Sequence, residues 1–199
     1  MIYLLRHGET EGPGEKRLLG QADIPLTERG LRQARWWGAE LALVPFEQCY
    51  CSDLIRARQT AVILAASLQC EVEVLTALRE INLGEWDGLS RAEVCSRFPG
   101  EWEKRGRDLA GYRPQGGESF DDLAARVLPV FEHIRQGLSG NALIVAHAGV
   151  NRVILCRVLG MPLHNLFRLE QAPGSLSILH LHDEELRLAA LNRLPPGDL

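Results

Sequence analysis

This chain lacks several features that would have placed its function elsewhere. No stretch approaches the ~20 consecutive apolar residues of a membrane span. The chain opens directly into Met1-Ile2-Tyr3-Leu4-Leu5-Arg6, with no charged leader and cleavage site. No membrane partner is therefore expected, and a cytoplasmic location is. The basic residues form no runs and the formal net charge is −4, so the electrostatic footprint of a nucleic-acid binder is missing. With no low-complexity tract, internal repeat or linker, residues 1–199 read as one domain. The five cysteines are an odd number, and most sit in apolar stretches. Cys49-x-Cys51 has the wrong spacing for a redox pair, so the cysteines read as reduced thiols packed in a core. His180 and His182 share one face of an expected strand, but no third ligand accompanies them and no metal is expected. His133 and His164 read as surface residues.

What is present is an ordinary globular composition, 46% hydrophobic and 24% charged, in a chain long enough to bury a core without disulfide or metal support. Three short apolar runs, Ile2 to Leu5, Gln48 to Cys51 and Ala142 to Ala146, each end in a polar cluster followed by helical periodicity. After the second run, Leu54, Ala57, Ala61, Leu64, Ala65 and Leu68 recur at helical spacing, and after the third, Val150, Val153, Ile154 and Val158 do the same. Thr27 to Leu43 reads as a helix. Ser119 is the expected N-cap of a helix from Phe120 to near Arg135, which Pro129 should kink. Glu71 to Leu75 alternates as a strand, and Ser175 to His182 with Glu185 to Leu191 reads as a terminal pair joined at Asp183-Glu184. The alternation predicts an α/β fold: a three-layer α/β/α sandwich with a mostly parallel sheet and one antiparallel edge.

Ligands in such sheets bind beyond the carboxyl ends of the strands. Arg6-His7-Gly8, Ser52 to Arg56 and His147-Ala148-Gly149 all follow strands, so all three should gather on that rim. A histidine beside a fixed cation is biased toward its neutral form, which can attack phosphorus. Gly8 would let a ligand approach the backbone. Arg56 falls in the first turn of a helix, where the macrodipole disfavours cations unless an anion is held there. Arg58 is the residue expected to reach solvent. His147 ends a nearly apolar strand. Glu80 precedes the glycine-punctuated loop Ile81 to Gly88, and a carboxyl group beside bound phosphate can protonate a leaving alcohol. Glu85 and Asp87 compete for that role. Each feature alone has a plainer reading: a surface turn, a solvated arginine, a buried histidine satisfied by backbone. Phe98 to Gly117, the least regular stretch, carries Trp102, Arg105, Arg107, Tyr112 and Arg113 and could be a flap beside the rim.

Taken together, Leu5-Arg6-His7-Gly8-Glu9-Thr10, Pro25-Leu26-Thr27-x-x-Gly30, Ser52-Asp53-Leu54-x-Arg56-Ala57-x-Gln59-Thr60-Ala61, Gly84-x-Trp86-x-Gly88, Gly116-Gly117-Glu118-Ser119 and Ala146-His147-Ala148-Gly149 resemble the histidine phosphatase superfamily, also called phosphoglycerate-mutase-like. The resemblance runs from about residue 2 to residue 160. It implies that His7 is the phosphate-accepting nucleophile and that Arg6, Arg56 and His147 complete the phosphate pocket. It also implies that Glu80 is the general acid, then the base for water, and that no cofactor is used. Thr10 and Ala148 belong to the same phosphate-binding segments. Many relatives carry an asparagine where Pro13 stands, so a phosphate contact is lost there; Gln21 is the suggested substitute.

Mutases resembling the glycolytic enzyme carry a long insertion between the Gly-x-Trp-x-Gly and Gly-Gly-Glu-Ser motifs. Only 27 residues, Leu89 to Gln115, separate them here. That openness favours hydrolysis. The layout is similar to α-ribazole phosphatases and to phosphatases of small metabolites, with Trp102, Arg105 and Tyr112 as candidate contacts to the leaving group. Trp36-Trp37 covers both faces of its helix, for which a homodimer contact and core capping are the two readings. Three functions compete. A phosphomonoesterase acting on a small phosphorylated metabolite through phosphohistidine would show acid-labile labelling at one histidine. A phosphotransferase would deliver phosphate to a second metabolite. A non-catalytic binder would show affinity without turnover.

Overall fold

Side chains alternate across a strand, so a strand covered on both faces must be apolar at nearly every position. In the computed structural model, which describes residues 1–10, 17–182 and 185–197, Ile2–Arg6 (β1) and Asn141–Ala146 (β4) do this. Ile2, Leu4, Ala142, Ile144 and Ala146 face one layer, while Tyr3, Leu5, Leu143 and Val145 face the other. The first layer contains helices Phe120–Gly137 (α5) and Ala148–Val158 (α6). The second contains Glu28–Glu40 (α1) and Ile55–Leu68 (α2).

The remaining strands are Phe46–Cys51 (β2), Val72–Val74 (β3), Leu176–His182 (β5) and Glu185–Arg193 (β6). They complete one sheet in the order β3-β2-β4-β1-β5-β6. The first four in that order run parallel; β5 is antiparallel to β1, and β6 to β5. The expected sandwich and its antiparallel edge are both present. The turn expected at Asp183-Glu184 lies outside the described residues. Cys49 and Cys51 point into the second layer and Cys156 is buried, whereas Cys95 is exposed; all five are free thiols.

Local signals start the helices where the sequence reading put them. The Thr27 hydroxyl accepts the Gly30 N–H, and Ser119 forms a capping box with Asp122. Two expectations change. The first helix stops at Glu40, three residues short of Leu43, which is 97% exposed; Pro45 disfavours helical geometry at the residue before it and Leu41–Val44 turn instead. Phe98 to Gly117 is more regular than expected. It contains helix Glu101–Arg107 (α4), which follows Arg91–Arg97 (α3), itself started by a Ser90–Glu93 capping box. The Pro129 ring sits inside α5 without ending it, so that helix runs on to Gly137.

Parallel pairing aligns the carboxyl ends of β1, β2 and β4. Arg6 is opposite Ala146, and Cys51 opposite Val145. The next residues, His7, Ser52 and His147, therefore emerge side by side. The His7 N–H still donates to Ala146 O at 3.0 Å, and the Ser52 N–H to Val145 O at 3.3 Å.

Candidate active site

His7 and His147, which are 5% and 0% exposed, meet with ring centroids 5.1 Å apart. The Nδ1 of His7 lies 2.8 Å from Gly8 O. A carbonyl oxygen only accepts, so Nδ1 carries the proton and Nε2 keeps its lone pair. Burial, and then the charges of Arg6 and Arg56, hold the His7 pKa well below 6.5. The ring is held neutral, with its Nε2 lone pair uncommitted by this contact. Gly8 serves a protein neighbour: a Cβ there would stand 2.6 Å from Gly30 O, so the glycine is needed for the first loop to pack on α1.

The Nε2 of His147 is 2.7 Å from the Ser52 hydroxyl, which also accepts the Leu54 N–H. Its Nδ1 is buried and has no partner among the described residues. Burial, His7, Arg56 and Arg6 all push the His147 pKa well below 6.5. In the tautomer where the Ser52 O–H donates to Nε2, Nδ1 carries a proton that can be given to a ligand oxygen.

Two arginines join the histidines. Arg6 donates through an Nη to Gln171 O at 2.6 Å, while its buried Nε has no partner among the described residues. Burial lowers its pKa to about 10, which leaves it cationic near neutrality. Arg56 is 2% exposed and donates to Gly20 O and Ala22 O at 2.6 and 2.7 Å. The anion expected to offset a cation in that first helical turn is partly supplied by the protein, because Asp23 accepts the Ile55 N–H at 2.7 Å. Arg58 is exposed as expected.

Glu80 is 7% exposed. Its Oε1 accepts the Ile81 and Gly149 N–H groups, and its Oε2 is 3.1 Å from the same Gly149 N. Oε2 is thus the freer oxygen for a proton. A Cβ at position 149 would collide with Oε1, which accounts for the glycine after His147-Ala148. Arg126 holds this segment in place. It donates to Ala77 O, Arg79 O and Glu80 O at 2.7, 3.0 and 3.3 Å and pairs with Glu118 at 2.8 Å. Glu118 in turn accepts the Asn82 N–H.

The competing carboxylates have other positions. Glu85 is exposed, and Asp87 accepts the N–H groups of Gly20, Gln21 and Ala22 at 2.8, 2.8 and 2.9 Å. Asp87 thereby fixes the loop that receives Arg56. The Gln21 side chain, suggested as a phosphate contact, donates to Glu80 O at 3.0 Å. Pro13 lies outside the described residues. Thr10 forms an isolated bridge with Leu26, and among the described residues no hydrogen bond joins its side chain to the cluster. Ala148 opens α6 beside His147.

Beyond the pocket, Trp102 stacks on Trp86 at 5.8 Å, and the Arg105 guanidinium lies 5.1 Å from the Trp102 centroid. The Tyr112 hydroxyl donates to Glu101 at 2.8 Å while its ring packs on Trp86. Tyr112 therefore braces α4. Trp37 is buried, with its indole N–H on Gly174 O at 2.7 Å, and Trp36 is half-buried on the same cluster. His133 and His164 are exposed. Among the described residues no three His, Cys, Asp or Glu side chains are grouped to hold a metal. No helix among them is long and apolar enough to cross a membrane.

Sequence reasoning missed Arg126, whose role depends on a carbonyl cluster contributed by another segment. It also missed Arg152, which sits early in α6 and donates to Leu169 O at 2.9 Å. Arg152 is the fifth residue of α6, past the first turn that singled out Arg56, so that signal did not reach it.

A model of the histidine phosphatase superfamily (branch 1) matches residues 2–194. The chain is 37% identical over 175 residues to a glucosyl-3-phosphoglycerate phosphatase of Mycolicibacterium vanbaalenii, covering 82% of this chain and 76% of that one. It is 38% identical over 161 residues to a 2,3-bisphosphoglycerate-dependent phosphoglycerate mutase of Gloeobacter violaceus, covering 78% and 74%. The crystal structure of the α-ribazole phosphatase from Shigella flexneri matches with a TM-score of 0.89 at 28% identity, over 96% of each chain.

Proposed function

The chain belongs to the histidine phosphatase superfamily and is a hydrolase of phosphate esters, and from that premise we propose that His7 takes the phosphoryl group from a small phosphorylated metabolite and passes it to water. The supporting observation is the facing pair of neutral imidazoles, one with its Nε2 lone pair directed by the Nδ1–Gly8 contact.

In the first step an N–P bond forms at His7 Nε2 as the P–O bond to the leaving alcohol breaks, and protonated Glu80 gives its proton to the departing oxygen. The equatorial phosphoryl oxygens take donors from Arg56, the unpartnered Arg6 Nε and His147 Nδ1. In the second step ionised Glu80 accepts a proton from water, whose oxygen attacks phosphorus. The N–P bond breaks, inorganic phosphate leaves, and His7 returns neutral.

The short segment from Leu89 to Gln115 supports water as the acceptor. A second acceptor metabolite would mark the mutase alternative, as in the Gloeobacter relative. The test is a single-turnover experiment with phosphorus-labelled substrate. One acid-labile, base-stable label should appear on the wild-type chain, and His7→Ala should lose turnover by at least about a thousandfold. Turnover retained in that variant would overturn the proposal. A screen of α-ribazole phosphate, sugar phosphates and 3-phosphoglycerate, ranked by kcat/KM, would then identify the ester.

A further inference from the structure

Cys49, Cys51 and Cys70 gather where β2 meets β3, the edge of the sheet farthest from β6. Cys49 and Cys51 point into the second layer, and Cys70 packs half-buried against the same cluster. Parallel pairing puts Cys49 opposite Val72, and the Cys49 N–H donates to Glu71 O at 3.0 Å. Side chains alternate along extended chain, so Cys70, two residues before Val72, faces the same layer as Cys49. Gln69, left-handed with φ 53°, ends α2 and turns the chain into Cys70. There the Cys70 and Cys49 thiols share a hydrogen bond. Cys51 stands two residues, about 7 Å, farther along β2.

The two thiols in contact differ in character. The hydrogen bond from Cys49 lowers the Cys70 pKa to about 7 against the opposing effect of partial burial, so a substantial share of Cys70 is thiolate near neutrality. The same bond, then burial, then the Cys70 charge push Cys49 up and keep it a thiol. Burial raises Cys51 to about 11.

We propose that Cys49 and Cys70 form an oxidation site that a peroxide converts to a disulfide, closing the β2–α2 unit that carries Ser52 and Arg56. The Cys70 thiolate attacks one peroxide oxygen, the O–O bond breaks, and the departing hydroxide takes a proton from solvent. Cys70 is left as a sulfenic acid. The Cys49 sulfur then attacks the Cys70 sulfur, the S–S bond forms as the S–O bond breaks, and the Cys49 proton leaves with that hydroxide as water. Two electrons pass from the sulfurs to the peroxide, and two waters result. The first step removes what held Cys49 as a thiol, because a sulfenic acid carries no charge to repel a second thiolate. None of these steps uses His7 or Glu80.

The test is peptide mapping of the native wild-type protein after treatment with hydrogen peroxide in modest excess, alkylation and digestion without reductant. One cross-linked pair should join Cys49 to Cys70, lighter than its two peptides by two hydrogen atoms, and dithiothreitol should restore both thiols. Cys95, exposed on α3, should stay unpaired. Dimedone present during oxidation captures sulfenic acids and separates the two steps. Cys70 should carry at least about tenfold more adduct in Cys49→Ser, which keeps a hydroxyl donor beside it, than in the wild-type chain. Cys70→Ser should abolish the bridge. The wild-type mapping decides even where Cys49→Ser folds poorly. Cys70 joined to Cys51 or Cys95, equal dimedone capture with and without Cys49, or all five thiols intact after peroxide would overturn the proposal.

Discussion

The Ser52 hydroxyl stands 2.7 Å from Nε2 of His147, and that contact holds one nitrogen of the second imidazole while its buried Nδ1 has no partner among the described residues. The hydroxyl does more than orient the ring. Because burial and the neighbouring cations keep His147 neutral, the ring has one proton to place, and a donating Ser52 hydroxyl leaves that proton on Nδ1.

Ser52→Ala should therefore lower kcat/KM roughly ten- to a hundredfold, the cost of one buried hydrogen bond of about 1–3 kcal/mol. The ring stays in place but its tautomer is no longer imposed. Steady-state kinetics with a thermal melt as control checks this. Activity within twofold of wild type would show that the hydroxyl has no such role.

Protonation of the two histidines gives a second outcome. Their folded pKa values lie well below 6.5, the ordinary value that they recover on unfolding. Below pH 6.5 the unfolded chain binds protons that the native chain refuses, so stability falls as pH falls. Each histidine contributes a slope of up to roughly 1.4 kcal/mol per pH unit in that window and none above it. Urea midpoints measured from pH 8 to pH 5 in phosphate-free buffer should drop below pH 6.5, and less steeply in His7→Gln.

Arg126 and Lys104 provide a contrast between two ion pairs. Lys104 meets Glu101 on the surface with 64% of its side chain exposed, whereas Arg126 is 24% exposed and also serves three carbonyls. Lys104→Ala should change stability by less than about 1 kcal/mol. Arg126→Met should cost about 2–4 kcal/mol, because Glu118 and three carbonyls lose their partner together. It should also lower kcat more than it raises KM, since Glu80 loses its support. Equal effects of the two substitutions would refute this reading.

These contrasts also show which parts of the molecule were legible in the sequence. The parallel strands were, because burial on both faces forces runs such as Ala142 to Ala146 to be continuously apolar. The rim followed from them: once His7, Ser52 and His147 each follow a strand, topology alone brings them together. Arg126 was not legible, because its partners Ala77 O, Arg79 O and Glu80 O are backbone atoms and have no residue signature. The Tyr112 hydroxyl's partner was not legible for the same kind of reason; Glu101 is fixed by α4, a helix too short for periodicity to announce. Gly8 was read as giving a ligand close approach to the backbone, and the close neighbour the fold supplies there is Gly30.

Gly149 tests the role of Glu80 without touching its carboxyl group. A Cβ at 149 would fall on Oε1, so Gly149→Ala must drive the carboxylate away from the helix N–H that now receives it. A displaced acid no longer reaches the leaving oxygen, and for an alkyl phosphate, whose alkoxide leaves poorly, kcat should fall about a hundredfold or more. p-Nitrophenyl phosphate needs little protonation of its leaving group, so the loss there should be far smaller in the step that forms phosphohistidine. Glu80→Gln should show the same dependence on leaving group. If both esters lost activity equally in pre-steady-state bursts, the glycine would be serving the fold and Glu80 would not be the acid.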